Sequence, residues 1–279
     1  MKKIVLLALA VSLASASVAA APAPKITPAP TAPPELAPHR ATYEISLART
    51  EPGGVVAATG RTVIEFRDMC TGWSTTQRFI ADMTNSEGDP ARSDFIATSW
   101  ESKDGRQMRF TVKNSVDGKT SQRFEGSVLR ASGGSSAVKL TIPRGQGFAL
   151  PMNAILPTQH TLDVLKAAAA GQNTIRQLVF QGGDKSDLYD ATTVIGRPAN
   201  AAELSGDRAS DQSGILAHAN ARSVLISYFA YNSRATTPEY TVAYRLYSNG
   251  VVGQMSLIYS RFTLRARLVK LEKLAPSCG

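Results

Sequence analysis

Apolar and polar residues alternate with a period of two along most of the chain between His39 and Lys273. In Gln107–Lys113, Met108, Phe110 and Val112 fall on one face and Arg109, Thr111 and Lys113 on the other, the pattern of a half-buried strand. Tyr43, Ile45 and Leu47 repeat it, as do Val138, Leu140 and Ile142, and Phe262, Leu264, Ala266 and Leu268. Asp104-Gly105, Asp117-Gly118 and Asn249-Gly250 supply the positive φ that tight hairpins require, so neighbouring strands are predicted to be consecutive and antiparallel. Runs between such turns predict about twelve to fourteen strands, the spacing of sandwiches and barrels.

Three segments depart from simple alternation. Thr158–Gly171 is predicted to be the one helix, with a threonine for the N-cap, Asp163 in the first turn, Lys166 further along and Gly171 as terminator. The stretches from Pro143 to Pro157 and from Arg197 to Ala221 read as long connections, the second as a surface loop or flap. Val224–Tyr231 is apolar on both alternating sets, which predicts a strand with no water-facing side. Tyr228, Phe229 and Tyr231, with Tyr240 and Tyr244 on the next strand, are therefore candidates for lining a core or an apolar cavity.

The first residues alter the domain picture. Lys2 and Lys3 precede the apolar run Ile4–Leu13 and a small-residue stretch ending at Ala21, the anatomy of a secretory signal peptide over about residues 1–20. That run is too short to span a bilayer, and no cysteine follows it for lipoprotein acylation. The expectation is an exported, soluble, periplasmic protein. Residues 21–38 hold seven prolines and read as a stiff tether, leaving residues 39–279 as a single domain. The net charge of +9 falls to +7 without the two leading lysines.

Two cysteines, Cys70 and Cys278, in an oxidising compartment favour a structural disulfide. It would close a loop of about 208 residues, for which chain entropy gives at most roughly 5 kcal/mol. Arg261, Arg265 and Arg267 share one face of the last strand and form a candidate anionic docking face.

Catalytic chemistry finds little support. His39, His160 and His218 are too dispersed for a zinc site, and His160 reads as a capping or surface residue. No G-x-S-x-G elbow occurs, and Ser135 and Ser136 follow Gly133-Gly134 without a partnered histidine. Asp184, Asp187 and Asp190 lack the alternate spacing of a calcium loop. Gly145-Gln146-Gly147 lacks the third glycine and the following helix of a dinucleotide loop. Glu101 and Asp104 would serve a glycan hydrolase only if two carboxylates faced each other across a groove. No metal or cofactor is expected, and an exported chain without a stacking motif is not expected to bind nucleic acid.

Cys70-Thr71-Gly72-Trp73, Thr98–Gly105, Ile155–Thr161, Asp187–Gly196 and Leu274–Cys278 carry, in this order and spacing, a resemblance to the EipB family. These are periplasmic cell-envelope integrity proteins of alphaproteobacteria, long catalogued as a domain of unknown function. The resemblance implies a β-spiral, a many-stranded curved sheet wrapping a helix, similar in shape to the lipoprotein carriers LolA and LolB. It also implies a disulfide between Cys70 and Cys278, a tetratricopeptide-repeat periplasmic partner, and no catalytic residue. The expected function is a non-enzymatic envelope protein whose sheet binds an apolar ligand, lipid or lipoprotein-like, or a protein partner. The rivals are a hydrolase of envelope glycan, a purely structural docking module and an outer-membrane barrel with a lipid-facing apolar band.

Overall fold

The structure is a computed structural model that describes residues 34–131 and 136–277. The signal segment, residues 21–33 of the Pro-rich stretch, the Gly133-Gly134-Ser135 turn and Cys278 lie outside the described residues.

Alternation along the chain produces fifteen described strands. The first eight are β1 (His39–Thr50), β2 (Val55–Asp68), β3 (Gly72–Asn85), β4 (Pro90–Ser102), β5 (Gln107–Val116), β6 (Lys119–Arg130), β7 (Ser136–Ile142) and β8 (Gly147–Leu150). Next come β9 (Ala154–Ile155), helix α1 (Pro157–Ala169), β10 (Thr174–Phe180), β11 (Leu188–Pro198) and helix α2 (Ala201–Ala209). The chain ends with β12 (Ala221–Ala230), β13 (Tyr240–Tyr247), β14 (Val252–Ile258) and β15 (Phe262–Lys273). The expected alternation is visible in burial: Tyr43, Ile45, Met108, Phe110, Val138, Leu140, Leu264, Ala266 and Leu268 are all buried. At Asp117-Gly118 both residues have positive φ, 51° and 76°, which matches the twist of the flanking strands.

All fifteen strands belong to one sheet, in the order β8-β7-β6-β5-β4-β3-β2-β1-β15-β14-β13-β12-β11-β10-β9. The chain therefore starts and ends in the middle of the sheet, where β1 pairs with β15, and works outward on both sides. Its two edges, β8 and β9, are consecutive in sequence and separated only by Pro151-Met152-Asn153. Every pairing is antiparallel except that of β9 with β10.

One end of this sheet tucks inside the other. On β10 and β11, Val179, Tyr189 and Ala191 face α1, while Leu178, Phe180 and Leu188 face the opposite way and are equally buried. They pack against Met108, Phe110, Val128, Val138, Leu140 and Leu150, which line the inner face of β5–β8. Phe180 sits edge-on to Phe110 and Phe148, with ring centroids 5.8 Å apart in each pair.

Helix α1 lies within the roll. Its register differs from expectation: Leu156 is the N-cap and Pro157 takes the first helical position, so Thr158 is already inside the helix and the first turn contains no acid of its own. Its end is as expected. Gly171 has φ +73°, its N–H donates to Ala168 O at 3.2 Å and that of Gln172 to Ala167 O at 2.9 Å, a complete Schellman motif.

Several expectations are corrected. The Pro143–Pro157 connection contains β8 and β9. The Arg197–Ala221 loop contains a second helix, α2, started by a capping box in which Asn200 and Glu203 each accept the other's backbone N–H. The strand with no water-facing side is the end of β10, Leu178-Val179-Phe180, and not β12, where Leu225 is 38% exposed. A double-sided apolar pattern marks a strand covered on both faces, but β12 lies outside the overlap, so its second face meets water.

Candidate functional site

Where α1 enters the roll, the inner face of the central strands leaves a cavity of about 200 Å³. Its walls are Tyr43 of β1, Ile64 and Phe66 of β2, Tyr244 and Leu246 of β13, Val252 of β14, and Pro157, Thr158 and Thr161 of α1. His39, Thr75, Leu36, Ala37 and the Asn249-Gly250 turn complete it. The backbone alternation that makes the core makes this surface too, since each strand residue named points inward.

The polar groups of this lining are largely committed elsewhere. Tyr43 Oη donates to Val252 O at 2.6 Å, Asn249 Nδ2 to Ile215 O at 2.9 Å and Thr161 Oγ1 to Pro157 O at 3.2 Å. His39 Nδ1 lies 2.7 Å from Ala37 O, and burial lowers its pKa, keeping the ring neutral. No wall residue carries a charge at neutral pH. The cavity is therefore built for an apolar, uncharged group.

Behind Thr158 lies Glu101, 2% exposed at the end of β4. Its two oxygens accept the Thr158 N–H at 3.1 and 3.0 Å, and Oε1 accepts the Thr158 hydroxyl at 2.7 Å. A carboxyl from a distant strand thus accepts the hydrogen bonds that a side-chain cap would supply at the first turn of α1. Burial raises its pKa to about 7 against the lowering pull of those hydrogen bonds. Asp104 is exposed at the following turn, bonded to Ser102 Oγ at 2.5 Å and to the Arg106 N–H at 3.0 Å. The two carboxyls serve different partners and do not form a hydrolytic pair.

His160 is neither a cap nor a surface residue. It is 4% exposed, its Nε2 lies 3.1 Å from Thr193 Oγ1, and burial lowers its pKa to about 4. Asp184 and Asp187 cap a short 3-10 turn, Lys185–Asp187, while Asp190 pairs with Arg176. Among the described residues no group of three or more His, Cys, Asp or Glu could hold a metal ion.

The tyrosines named from the sequence divide. Tyr244 reaches the cavity. Tyr228 and Tyr240 face inward but stack on each other at 4.7 Å, with Tyr189 edge-on to both. Phe229 falls on the opposite face of β12, and Tyr231 lies beyond the strand end, 41% exposed. Sequence reasoning did not place Leu36, Tyr43, Glu101 or Thr158 at this site. For Tyr43 the strand period was the available signal; Leu36, a lone large apolar residue among prolines, had no pattern to mark it.

Arg265 and Arg267 are exposed on the outer face of β15, and Arg261 precedes the strand in the turn, its Nη1 3.4 Å from Gly53 O. Arg267 is paired with Glu44, so the face is less basic than the arginine spacing implies. Ion pairs between neighbouring strands recur across the outer face: Arg40 with Glu65, Arg78 with Asp94, Arg92 with Asp82. Cys70, at φ 65° in the tight turn between β2 and β3, is disulfide-bonded, and Cys278, the partner expected from the sequence, lies outside the described residues. The Ser277 N–H donates to Asp68 O at 3.0 Å, which brings the chain end to that turn.

A sheet that rolls over itself around one helix, with an uncharged cavity at the helix entrance, defines a barrel-like β protein without a recognisable catalytic constellation among its described residues. The chain belongs to the EipB-like family, whose model matches residues 30–275. It is 30% identical over 245 residues to the cell envelope integrity protein EipB of Brucella abortus (strain 2308), covering 85% of this chain and 84% of that protein. The crystal structure of a beta-barrel-like protein of a domain of unknown function, DUF1849, also from Brucella abortus, superposes with a TM-score of 0.79 at 28% identity. That match covers 86% of this chain and 99% of the solved one.

Proposed function

We propose that this protein is a non-enzymatic periplasmic component that supports cell-envelope integrity by holding an apolar ligand, the acyl part of a lipid or lipoprotein, inside its rolled sheet. The observation that carries this reading is the uncharged cavity at the entrance of α1, several of whose polar groups are bonded to the protein itself. The envelope role rests on the family and on the name of the Brucella relative. Ion pairs across the outer face oppose the rival of an outer-membrane barrel, which needs an apolar lipid-facing band. Native mass spectrometry of protein purified from the periplasm tests the reading. It is expected to show a bound acyl-containing molecule that denaturation releases; protein that is empty in every preparation overturns it.

A second reading, docking of a periplasmic tetratricopeptide-repeat protein, has its own observation. Val194, Leu225 and Ala243 are in register across β11, β12 and β13 on the outer face, the first two 44% and 38% exposed. Leu225→Glu would abolish such a complex without disturbing the interior, and unchanged co-purification of the partner would rule this strip out.

A further inference from the structure

Leu36 belongs to the Pro-rich segment by sequence and to the cavity by structure. It is 8% exposed, it forms one wall of the cavity, and it packs in the same cluster as Leu162, Leu165 and Leu246. The opposing turn is shaped around it: a Cβ on Gly250 would lie 2.5 Å from Leu36 Cδ2. Gly250 has φ +81°, so glycine there serves both the turn and the leucine.

Besides the leucine, few contacts hold this segment, one of them the 2.7 Å approach of His39 Nδ1 to Ala37 O next to the pivot. Residues 34–38 form no strand. Pro34 and Pro38 have no N–H to give to a ladder, and the backbone donor that anchors the segment is the Ala37 N–H, bonded to Asn249 O at 2.8 Å. From Pro38 onward the chain is fastened, through the Leu274 N–H on Pro38 O at 3.0 Å and then through β1. A short arm carrying one buried leucine is thus attached at a firm pivot.

The size of the space fits this arrangement. About 200 Å³ is below the roughly 300–1,000 Å³ typical of ligand pockets, and the leucine occupies what would enlarge it. We propose that Leu36 is a built-in plug of this site, and that the end of a single acyl chain enters by displacing it, alkyl group for alkyl group. This rests on the apolar-ligand reading above and adds its regulation: the arm must leave before the chain is fully seated. Burial of a leucine side chain corresponds to about a thirtyfold bias toward the plugged state, and apparent affinity falls by the same factor.

The test uses the mature full-length protein and N-phenylnaphthylamine, an uncharged apolar fluorophore, with Leu36→Ala as the variant. Fluorescence titration is expected to show binding about thirtyfold tighter in the variant. Hydrogen exchange on the unmodified protein supplies the second readout. Probe binding is expected to deprotect the Ala37 amide, whereas a ligand that left the arm in place would keep it protected. Tight binding by Leu36→Ala with Ala37 still protected in the unmodified protein would mean that the variant merely opens a cavity, and would overturn the plug. Binding by both proteins with equal affinity would overturn it too, leaving the ligand site intact. Binding by neither would remove the apolar-ligand reading itself. Should Leu36→Ala not fold, the Ala37 amide decides alone.

Discussion

Glu101 and His160 are buried in the same roll and bias stability with pH in opposite directions. The Glu101 carboxyl titrates near 7 in the fold against an ordinary 4.5, so the fold prefers it neutral. The stability it contributes is complete below pH 4.5 and is lost as pH rises through 7. His160 titrates near 4 against an ordinary 6.5, so the fold again prefers the neutral form, but here stability is complete above pH 6.5 and is lost as pH falls through 4. The two pH dependences run in opposite directions over the same range, so they largely cancel between pH 4.5 and 6.5. Asp187, raised by burial to about 6, acts with Glu101, and His39, lowered by burial, acts with His160. Glu101→Gln is expected to unmask the histidine limb, with urea midpoints that climb from pH 4.5 to 6.5. His160→Gln is expected to show a fall over the same range. Curves parallel to that of the unmodified protein in both variants would refute the assignment. Neither residue's burial was readable locally: Glu101 meets Thr158 across 57 residues of chain, and His160 meets Thr193 across 33.

Elements held by their own sequence were legible, and those held by distant partners were not. The strands announced themselves because one face of each meets the core, and the end of α1 did so because Gly171 is a local device. Helix α2 is the contrary case. Its Asn200–Glu203 box was present in the sequence, but the helix spans only nine residues and contains Ser205 and Gly206, so its periodicity is faint. What retains it is Asp207, 2% exposed, which accepts Arg245 Nε at 2.6 Å, Arg245 Nη2 at 2.8 Å, Tyr247 Oη at 3.1 Å and the Gln254 N–H at 3.0 Å. Gly253 lacks the Cβ that would collide with this carboxylate. Removing the acid leaves a half-buried guanidinium and a backbone donor unpaired. Asp207→Ala is expected to cost about 3 kcal/mol and to raise amide exchange throughout α2, read by denaturant melts and exchange mass spectrometry. A loss below about 0.5 kcal/mol would show that α2 is held by Leu204 and its apolar neighbours instead.

At the scale of the molecule, the roll has an open topology with a firm middle and two edges that meet. Sequence alternation predicted consecutive antiparallel strands, and the family resemblance implied a curved sheet; alternation could not predict the overlap, because Leu178 and Phe180 owe their burial to the sequence-distant strands β5–β8. Pairing of β1 with β15 already brings the two ends of the domain together, and the Ser277 contact with Asp68 continues that approach toward Cys70. A Cys70–Cys278 bridge would therefore lock an approach that the sheet itself has already made. Its effect lies mainly in the unfolded chain, where it closes a loop of about 208 residues, worth at most roughly 5 kcal/mol. Non-reducing peptide mapping of periplasmic protein is expected to recover Cys70 linked to Cys278. Cys70→Ala combined with Cys278→Ala is expected to lower the urea midpoint substantially while leaving the circular dichroism of the folded state and the binding of an apolar probe unchanged. Loss of the fold in that double variant at neutral pH and moderate temperature would mean that the β1–β15 seam does not hold the roll without the bridge. A midpoint unchanged by reduction would mean that the bridge contributes nothing the seam does not already supply.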